Sequence, residues 1–472
     1  MKIKYLIAGM LACLMSFSSC GSDDDPTPDK PDDNGTEKPG SKTMILNVEK
    51  GSTLKQVFDE QISQFQVTYD NYGMETAEFH LDTIIAKGNL TIEDINFLNN
   101  LDRYLYEVTE AHNVIWEVTD VENIFGQGDP SPILDLSETQ FVESTLWGET
   151  YLANHLYPEA GELTNRFFVI FPKNIEVIEE EALEYKYIYD ITNLLGECLQ
   201  EIGESAFANA QFPQKEEENG LELVFPSSLK KIGSNAFYET PLKKATTSNN
   251  ATLEPGAFGN RIEILELNGV EEICTSFASS ELSLTTVYMQ DVKYIGERAF
   301  WGCYNLETVS MPHIEYIEKE AFGQTTTNDN RSNLEIKAED LKNLKKIGDY
   351  AFKGINKMPD LSLATNLIKI GDQPFSNSDP KRPEIIIPQN VKEWGYNLGE
   401  FKIAHIYPKL PPLYEGDLEL PYYSTAIYCD TLYVPKGCKN IYMEGAKNPR
   451  PPLPNILLSC GIEVATGIIL EE

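Results

Sequence analysis

Histidine is scarce in this 472-residue chain: His80, His112, His155, His313 and His405 stand far apart. With no His-Glu-x-x-His and no paired Cys-x-x-Cys, nothing in the pattern builds a histidine-rich metal centre or a zinc site, and no metal or cofactor is expected. Base is scarce too, with 38 Lys+Arg against 74 Asp+Glu and a formal net charge of −36. A nucleic acid needs a basic face to displace its counterions, so that partner is excluded. A lysine-rich footprint on anionic lipid is excluded on the same ground. There is no Walker loop and no dinucleotide fingerprint. Gly203-Glu204-Ser205-Ala206-Phe207 starts like a nucleophile elbow but lacks the final glycine. What is present is 41% hydrophobic residues and 10% aromatics, enough to bury a core. At this length one ordinary core does not suffice, which leaves two or three domains or one elongated repeat array.

The first residues are a targeting segment. Lys2 and Lys4 make a basic start, and Tyr5 to Met15 is an apolar stretch too short to span a bilayer as a mature helix. Ser18 and Ser19 lead to Cys20, which resembles a bacterial lipoprotein signal cleaved before an acylated cysteine. Ser16-Phe17-Ser18-Ser19-Cys20 departs from the strict Leu-Ala-Gly-Cys form. The run Gly21-Ser22-Asp23-Asp24-Asp25 resembles the acidic tag of lipoproteins exported to the outer face of the outer membrane in some Gram-negative gut anaerobes. The resemblance implies a protein lipid-anchored through Cys20 and facing the cell exterior. From Pro26 to Lys42 the composition is Pro, Asp, Gly, Lys and Thr with little else, a solvated tether.

Beyond the tether one phrase returns: Ile-Gly-x-x-Ala-Phe. It reads Ile202-Gly203-Glu204-Ser205-Ala206-Phe207, and recurs at 232–237, 295–300 and 347–352, with degenerate copies ending at Leu183, Phe258, Phe277, Phe322, Phe375 and Leu398. The ten copies are spaced by 19 to 30 residues, most near 23, which is the signature of a solenoid. In Leu306-Glu307-Thr308-Val309-Ser310-Met311-Pro312 the alternation points Val309 and Met311 inward, and Pro312 ends the strand. Ile317 and Phe322 then turn back beneath it, Ala321 allows coils to stack, and the Gly supplies a turn that a side chain would crowd.

The phrase Pro226-Ser227-Ser228-Leu229-Lys230-Lys231-Ile232-Gly233-Ser234-Asn235-Ala236-Phe237 resembles the BspA-like leucine-rich repeat. Leu432-Tyr433-Val434-Pro435-Lys436-Gly437-Cys438 resembles the closing repeat of such arrays. Gly88 to Ile95 and Leu134 to Ser137 resemble their entry segment. The resemblance implies an α/β-type solenoid, a leucine-rich repeat horseshoe of cell-surface type. The organisation expected is a signal over 1–19, a tether over 20–43, a capping region over 44–163, the solenoid over 164–440 and a C-terminal cap over 441–472. The capping region is expected to be mainly helical. Leu54, Val57, Phe58, Ile62 and Phe65 have helical spacing with a Thr53/Gln56 capping box, and Thr91 opens a second helix through Ile92, Ile95, Leu98, Leu101 and Leu105.

Six cysteines follow Cys20, and the reading for them is free, half-buried thiols packed between coils. Cys303 falls just beyond an Ala-Phe pair, and Cys274 takes a turn-glycine position. A Cys429–Cys438 bridge stays an alternative. The acidic runs Asp23 to Asp25 and Glu216 to Glu218 lack the alternating spacing of a Ca²⁺ loop.

In a stacked array the outward residues of the concave strands form columns. Taking the residue before each strand's last inward position gives Ile170, Val224, Glu266, Tyr288, Ser310, Ile386, Ile406 and Tyr433. Of these, Ile170, Val224, Tyr288, Ile386, Ile406 and Tyr433 are the candidate ligand-binding residues; strand propensity alone accounts for them equally well. The insertions Ala208 to Gly220 and Gly323 to Asn333 would project from one rim. The function expected is a monomeric, non-enzymatic, adhesin-like surface protein that binds a host or bacterial surface protein, or a glycan. The alternative is a structural spacer of the envelope with no soluble ligand.

Overall fold

The computed structural model describes residues 43–62, 68–69, 75–76, 83–101, 103–104, 133–165, 167–188, 190–213, 219–323, 334–355, 357–376, 382–414, 425–446 and 455–472. The chain divides into two units, Met1–Gly40 and Ser41–Glu472, and all described residues belong to the second. Residues 1–42, which hold the expected signal, Cys20 and all but the last residue of the expected tether, therefore lie outside the described residues. So do Phe65, Leu105, Glu216 to Glu218 and the centres of both insertions.

The repeat is a parallel solenoid with three hydrogen-bonded stripes per coil. On one face run the longer strands. Leu221–Val224, Leu242–Ser248, Ile264–Asn268, Thr286–Tyr288 and Thr308–Ser310 pair in parallel, in that order. On a second face each coil contributes a two-residue strand, such as Glu201–Ile202, Lys231–Ile232, Tyr294–Ile295 and Tyr316–Ile317. Its inner residue, Ile202, Ile232, Ile295 or Ile317, is 0% exposed. The third stripe is the Ala-Phe rung. The Phe207 amide donates to the Ala236 carbonyl, and the Phe300 amide to the Ala321 carbonyl, each at 2.8 Å. Each coil thus satisfies its backbone on its neighbours and buries an apolar stripe that it could not bury alone.

The phenylalanines of successive rungs touch. Phe277 to Phe300 is 5.9 Å between ring centroids, Phe300 to Phe322 is 5.3 Å, and Phe322 to Phe352 is 5.7 Å. The rung alanines are equally regular: Ala206, Ala236, Ala299, Ala321 and Ala351 are all 0% exposed.

The capping region is not mainly helical. Its described residues form a parallel sheet ordered Thr43–Val48, Thr83–Leu90, Ile133–Phe141 and Phe168–Ile170, with helices at Leu54–Ile62 and Ile92–Asn99. The reason is a period of two. Met44, Leu46 and Val48, then Ile84 and Ala86, then Leu134 and Leu136 alternate inward, and only strands put such residues on one face. Both helix starts are as expected. The Thr53 amide donates to Gln56 Oε1 at 3.0 Å and the Gln56 amide to Thr53 Oγ1 at 3.3 Å. Thr91 and Asp94 form the second capping box, and Asp94 Oδ1 also accepts the Leu54 amide at 2.7 Å, joining the two helix starts.

At the other end Arg382–Ile387, Gly399–Ile406, Ile427–Val434 and Ile462–Glu471 form a further parallel sheet of the longer strands. Ile456–Leu457 adds to it antiparallel. The six cysteines are unbridged. Cys303, Cys429, Cys438 and Cys460 are buried and Cys274 is half-buried, in keeping with thiols packed between coils, while Cys198 is exposed. Burial pushes the thiols of Cys303, Cys429 and Cys460 up to about 12.

A candidate docking face on the longer strands

Inward and outward residues alternate along the longer strands, and parallel pairing aligns the outward ones into rows. One row runs Val224, Thr246, Glu266, Tyr288 and Ser310 across five strands. The expected column thus exists, with Thr246 as a member the pattern reading passed over. Val224 is 67% exposed and Tyr288 38%. Glu266 is fixed within this row. Lys244 Nζ lies 2.7 Å from its carboxylate and Thr246 Oγ1 donates to it at 3.0 Å. The lysine contact holds the Glu266 carboxyl below its usual range.

At the N-terminal end a separate row joins Ile45, Ile85, Asp135 and the half-buried Ile170. The row beside it carries Ile133, 38% exposed, and Phe168, whose ring lies 6.0 Å from Tyr187. This end is more apolar than the middle.

At the C-terminal end the row is Ile386, His405, Tyr433 and Leu470. Ile386 and Tyr433 are half-buried and outward, as expected. Ile406 is not a surface residue. It is 0% exposed and pairs with Ile387, also 0% exposed. Its strand ends on an inward residue, so the outward position is one earlier, at His405. The Ala404-His405-Ile406 alternation carried that signal.

Both ring nitrogens of His405 face carboxylates. Its Nε2 is 3.1 Å from Glu384 Oε1 and its Nδ1 2.8 Å from Glu472 Oε1. Its ring stacks on Tyr433, 4.7 Å between centroids and 4° between planes, with Tyr407 at 6.5 Å on the same face. Burial, reinforced by the Glu472 carboxylate, pushes the Tyr407 hydroxyl up.

Two features elsewhere carry chemistry or contact potential. Glu281 lines a small crevice with Gly256, Phe258, Ile262, Phe277 and Ala278. Its Oε2 has no hydrogen-bond partner, and burial pushes its carboxyl up to about 7. A hairpin of Ser144–Leu146 and Glu149–Tyr151 carries Trp147 at its tip, 86% exposed. Ser205, the would-be nucleophile, is a rung residue with φ +52°. The equivalent residue of each of the ten copies also has positive φ, so its conformation belongs to the repeat.

The family model described as "BspA type Leucine rich repeat region" matches in six copies, over residues 161–265, 217–303 and 328–401. No curated protein matches. Among solved structures, the pneumococcal vaccine antigen PcpA is 15% identical, with 74% of this chain and 91% of that one covered and a TM-score of 0.26. A leucine-rich repeat protein from Bacteroides ovatus is 14% identical, with 56% and 85% covered and a TM-score of 0.24. A leucine-rich cell-surface protein from Faecalibacterium prausnitzii is 15% identical, with 51% and 82% covered and a TM-score of 0.19.

Proposed function

The chain belongs to the BspA-type leucine-rich repeat proteins, and on that premise we propose a non-enzymatic binding protein of the cell surface, adhesin-like, anchored in the outer membrane through lipid at Cys20. It engages a surface protein, or a glycan, with the face of the longer strands. The observation that supports this most is the alignment of exposed Val224 and Tyr288 in one row, with His405 and Tyr433 in a second, on a repetitive scaffold. Aromatic side chains give contact area at small entropic cost, and a scaffold that is already ordered gives it without rearrangement. Several carboxylates are tied in pairs between coils, such as Glu201 and Glu254 with Lys231, which suits cohesion and solubility more than catalysis.

The test is to present the purified chain to an array of host matrix proteins, mucins and bacterial glycans, with and without calcium. A saturable partner at micromolar affinity or better is expected, lost in the Tyr288→Ala plus Tyr433→Ala double variant while the fold stays intact. Binding unchanged in that variant would remove the face from the reading. A well-folded chain with no partner on the array would favour the envelope spacer instead.

A further inference from the structure

We propose that the array bends at a built-in hinge, between the coil of Leu253 and Phe258 and the coil of Ile273 and Phe277, with the longer strands as the side that stays joined. The phrase of the second coil, Ile273-Cys274-Thr275-Ser276-Phe277-Ala278, has its last pair inverted relative to Ile295-Gly296-Glu297-Arg298-Ala299-Phe300. Hydrogen bonding fixes that alignment. The Ser276 amide donates to the Glu297 carbonyl at 2.9 Å and the Ala278 amide to the Ala299 carbonyl at 2.7 Å, just as the Arg298 and Phe300 amides donate to Lys319 and Ala321. Phe277 thus fills the slot where the regular copies carry the alanine that lets coils stack. A ring in that slot wedges the coil away from its predecessor.

The consequences coincide at this junction. The second-face strands form two separate sheets, one ending on Thr252–Leu253 and the next starting at Glu272–Ile273. Among the described residues this is the one break in that ladder between His155 and Tyr414. The rung slips as well. The Asn235 amide donates to the Pro255 carbonyl, one residue before its counterpart Gly256, but the Gly256 amide donates to Phe277 at 2.7 Å, two residues beyond the matching Thr275. The Phe277 ring stands at 85° to Phe258 and 84° to Phe300, whereas the rings from Phe300 through Phe322 and Phe352 to Phe375 follow one another within 9°. The crevice of Glu281 lies between the same two coils, and opening it hydrates Oε2, an acceptor left unsatisfied while the coils are together.

The third stripe holds. Lys244 to Ser248 pair residue for residue with Ile264 to Asn268, Lys244 Nζ lies 2.7 Å from the Glu266 carboxylate, and Thr247 Oγ1 donates to the Asn268 carbonyl at 3.0 Å. With one stripe parted, one slipped and one intact, relative motion of the two arms is a rotation about the intact one. That axis lies in the longer-strand face, so bending changes the curvature of the row in which Val224 and Thr246 stand on one side and Glu266 and Tyr288 on the other. The hinge does not depend on what that face binds.

Electron–electron double resonance on the full chain tests it, with spin labels attached through azide-bearing residues so that the native cysteines stay untouched. Labels at Glu201 and Tyr316 span the junction, and labels at Glu272 and Glu393 lie within the second arm. Each pair is separated by the same number of coils, on the order of 24 Å at the spacing of parallel strands. The distance distribution of the spanning pair is expected to be at least twice as broad as that of the other. Phe277→Ala with Ala278→Phe restores the regular order and should narrow it to the breadth of the second pair. Equal breadth of the two pairs in the native chain, or a spanning pair that stays broad in the folded double variant, would overturn the inference. The native comparison needs no variant, so it decides even where the double variant does not fold.

Discussion

Gly203 lies on the backbone of Glu180 in the neighbouring coil: a Cβ at Gly203 would stand 2.5 Å from the Glu180 amide nitrogen. The same relationship recurs where Gly233 meets Glu204 at 2.6 Å and Gly348 meets the Glu318 carbonyl carbon at 2.5 Å. None of these glycines has a positive φ. The glycine of the Ile-Gly phrase is therefore required by the close approach of two coils and not by the turn it sits in. Gly348→Ala is expected to destabilise the chain by about 1 to 3 kcal/mol, because the atoms that must give way are backbone. Urea unfolding of that variant is the check, and an unchanged midpoint would contradict the account.

The left-handed residue of each coil comes two positions later and is mostly not glycine. Ser205, Asn235, Ser276, Arg298, Glu320 and Tyr350 all have φ between +52° and +56°. Ser205→Gly is expected to be neutral or stabilising by up to about 1 kcal/mol, since relief of strain outweighs the added freedom of the unfolded chain. Ser205→Val should cost about 1 to 2 kcal/mol, a β-branched residue being poorly suited to positive φ. Thermal melting of the pair gives the order of stability, and Val above Gly would sink the argument.

Much of the solenoid was legible because period and burial coincide: Ile202, Ala206 and Phe207 recur together and are each 0% exposed. The left-handed rung position was not, since Ser, Arg, Glu and Tyr share no property that marks it. The N-terminal sheet was missed because Thr53/Gln56 and Thr91/Asp94 announce helices strongly, while the strand Thr43–Val48 offers only three inward residues. Of the candidate face, five residues lie outward and Ile406 does not. A one-residue error in a strand's end moves the chosen position to the opposite face.

Phe300 stands between Phe277 and Phe322 in the rung ladder and is 0% exposed. Phe300→Ala leaves a void in the middle of the array and should cost about 3 to 5 kcal/mol. In a solenoid, stability is a sum of coils and their interfaces, so loss at the centre should also split the unfolding into two transitions. A single cooperative transition shifted by less than about 1 kcal/mol would show that the ladder does not couple the coils.

Glu281 couples stability to pH. Its carboxyl is raised by burial from the model-compound value of 4.5 to about 7, with Oε2 unpartnered in the crevice beside Phe258 and Phe277. The folded state therefore holds a proton that the unfolded state has released. The stabilisation is complete below about pH 4.5, declines as pH rises toward 7, and is absent above it. The side chain is only half-buried and water screens part of the penalty, so the total effect is on the order of 2 kcal/mol. Glu281→Gln keeps the shape without the charge, and should flatten this part of the stability–pH curve and be the more stable chain at pH 8. Urea midpoints of both chains between pH 4 and pH 8 measure it, and parallel curves would mean that the carboxyl titrates alike in the folded and the unfolded chain.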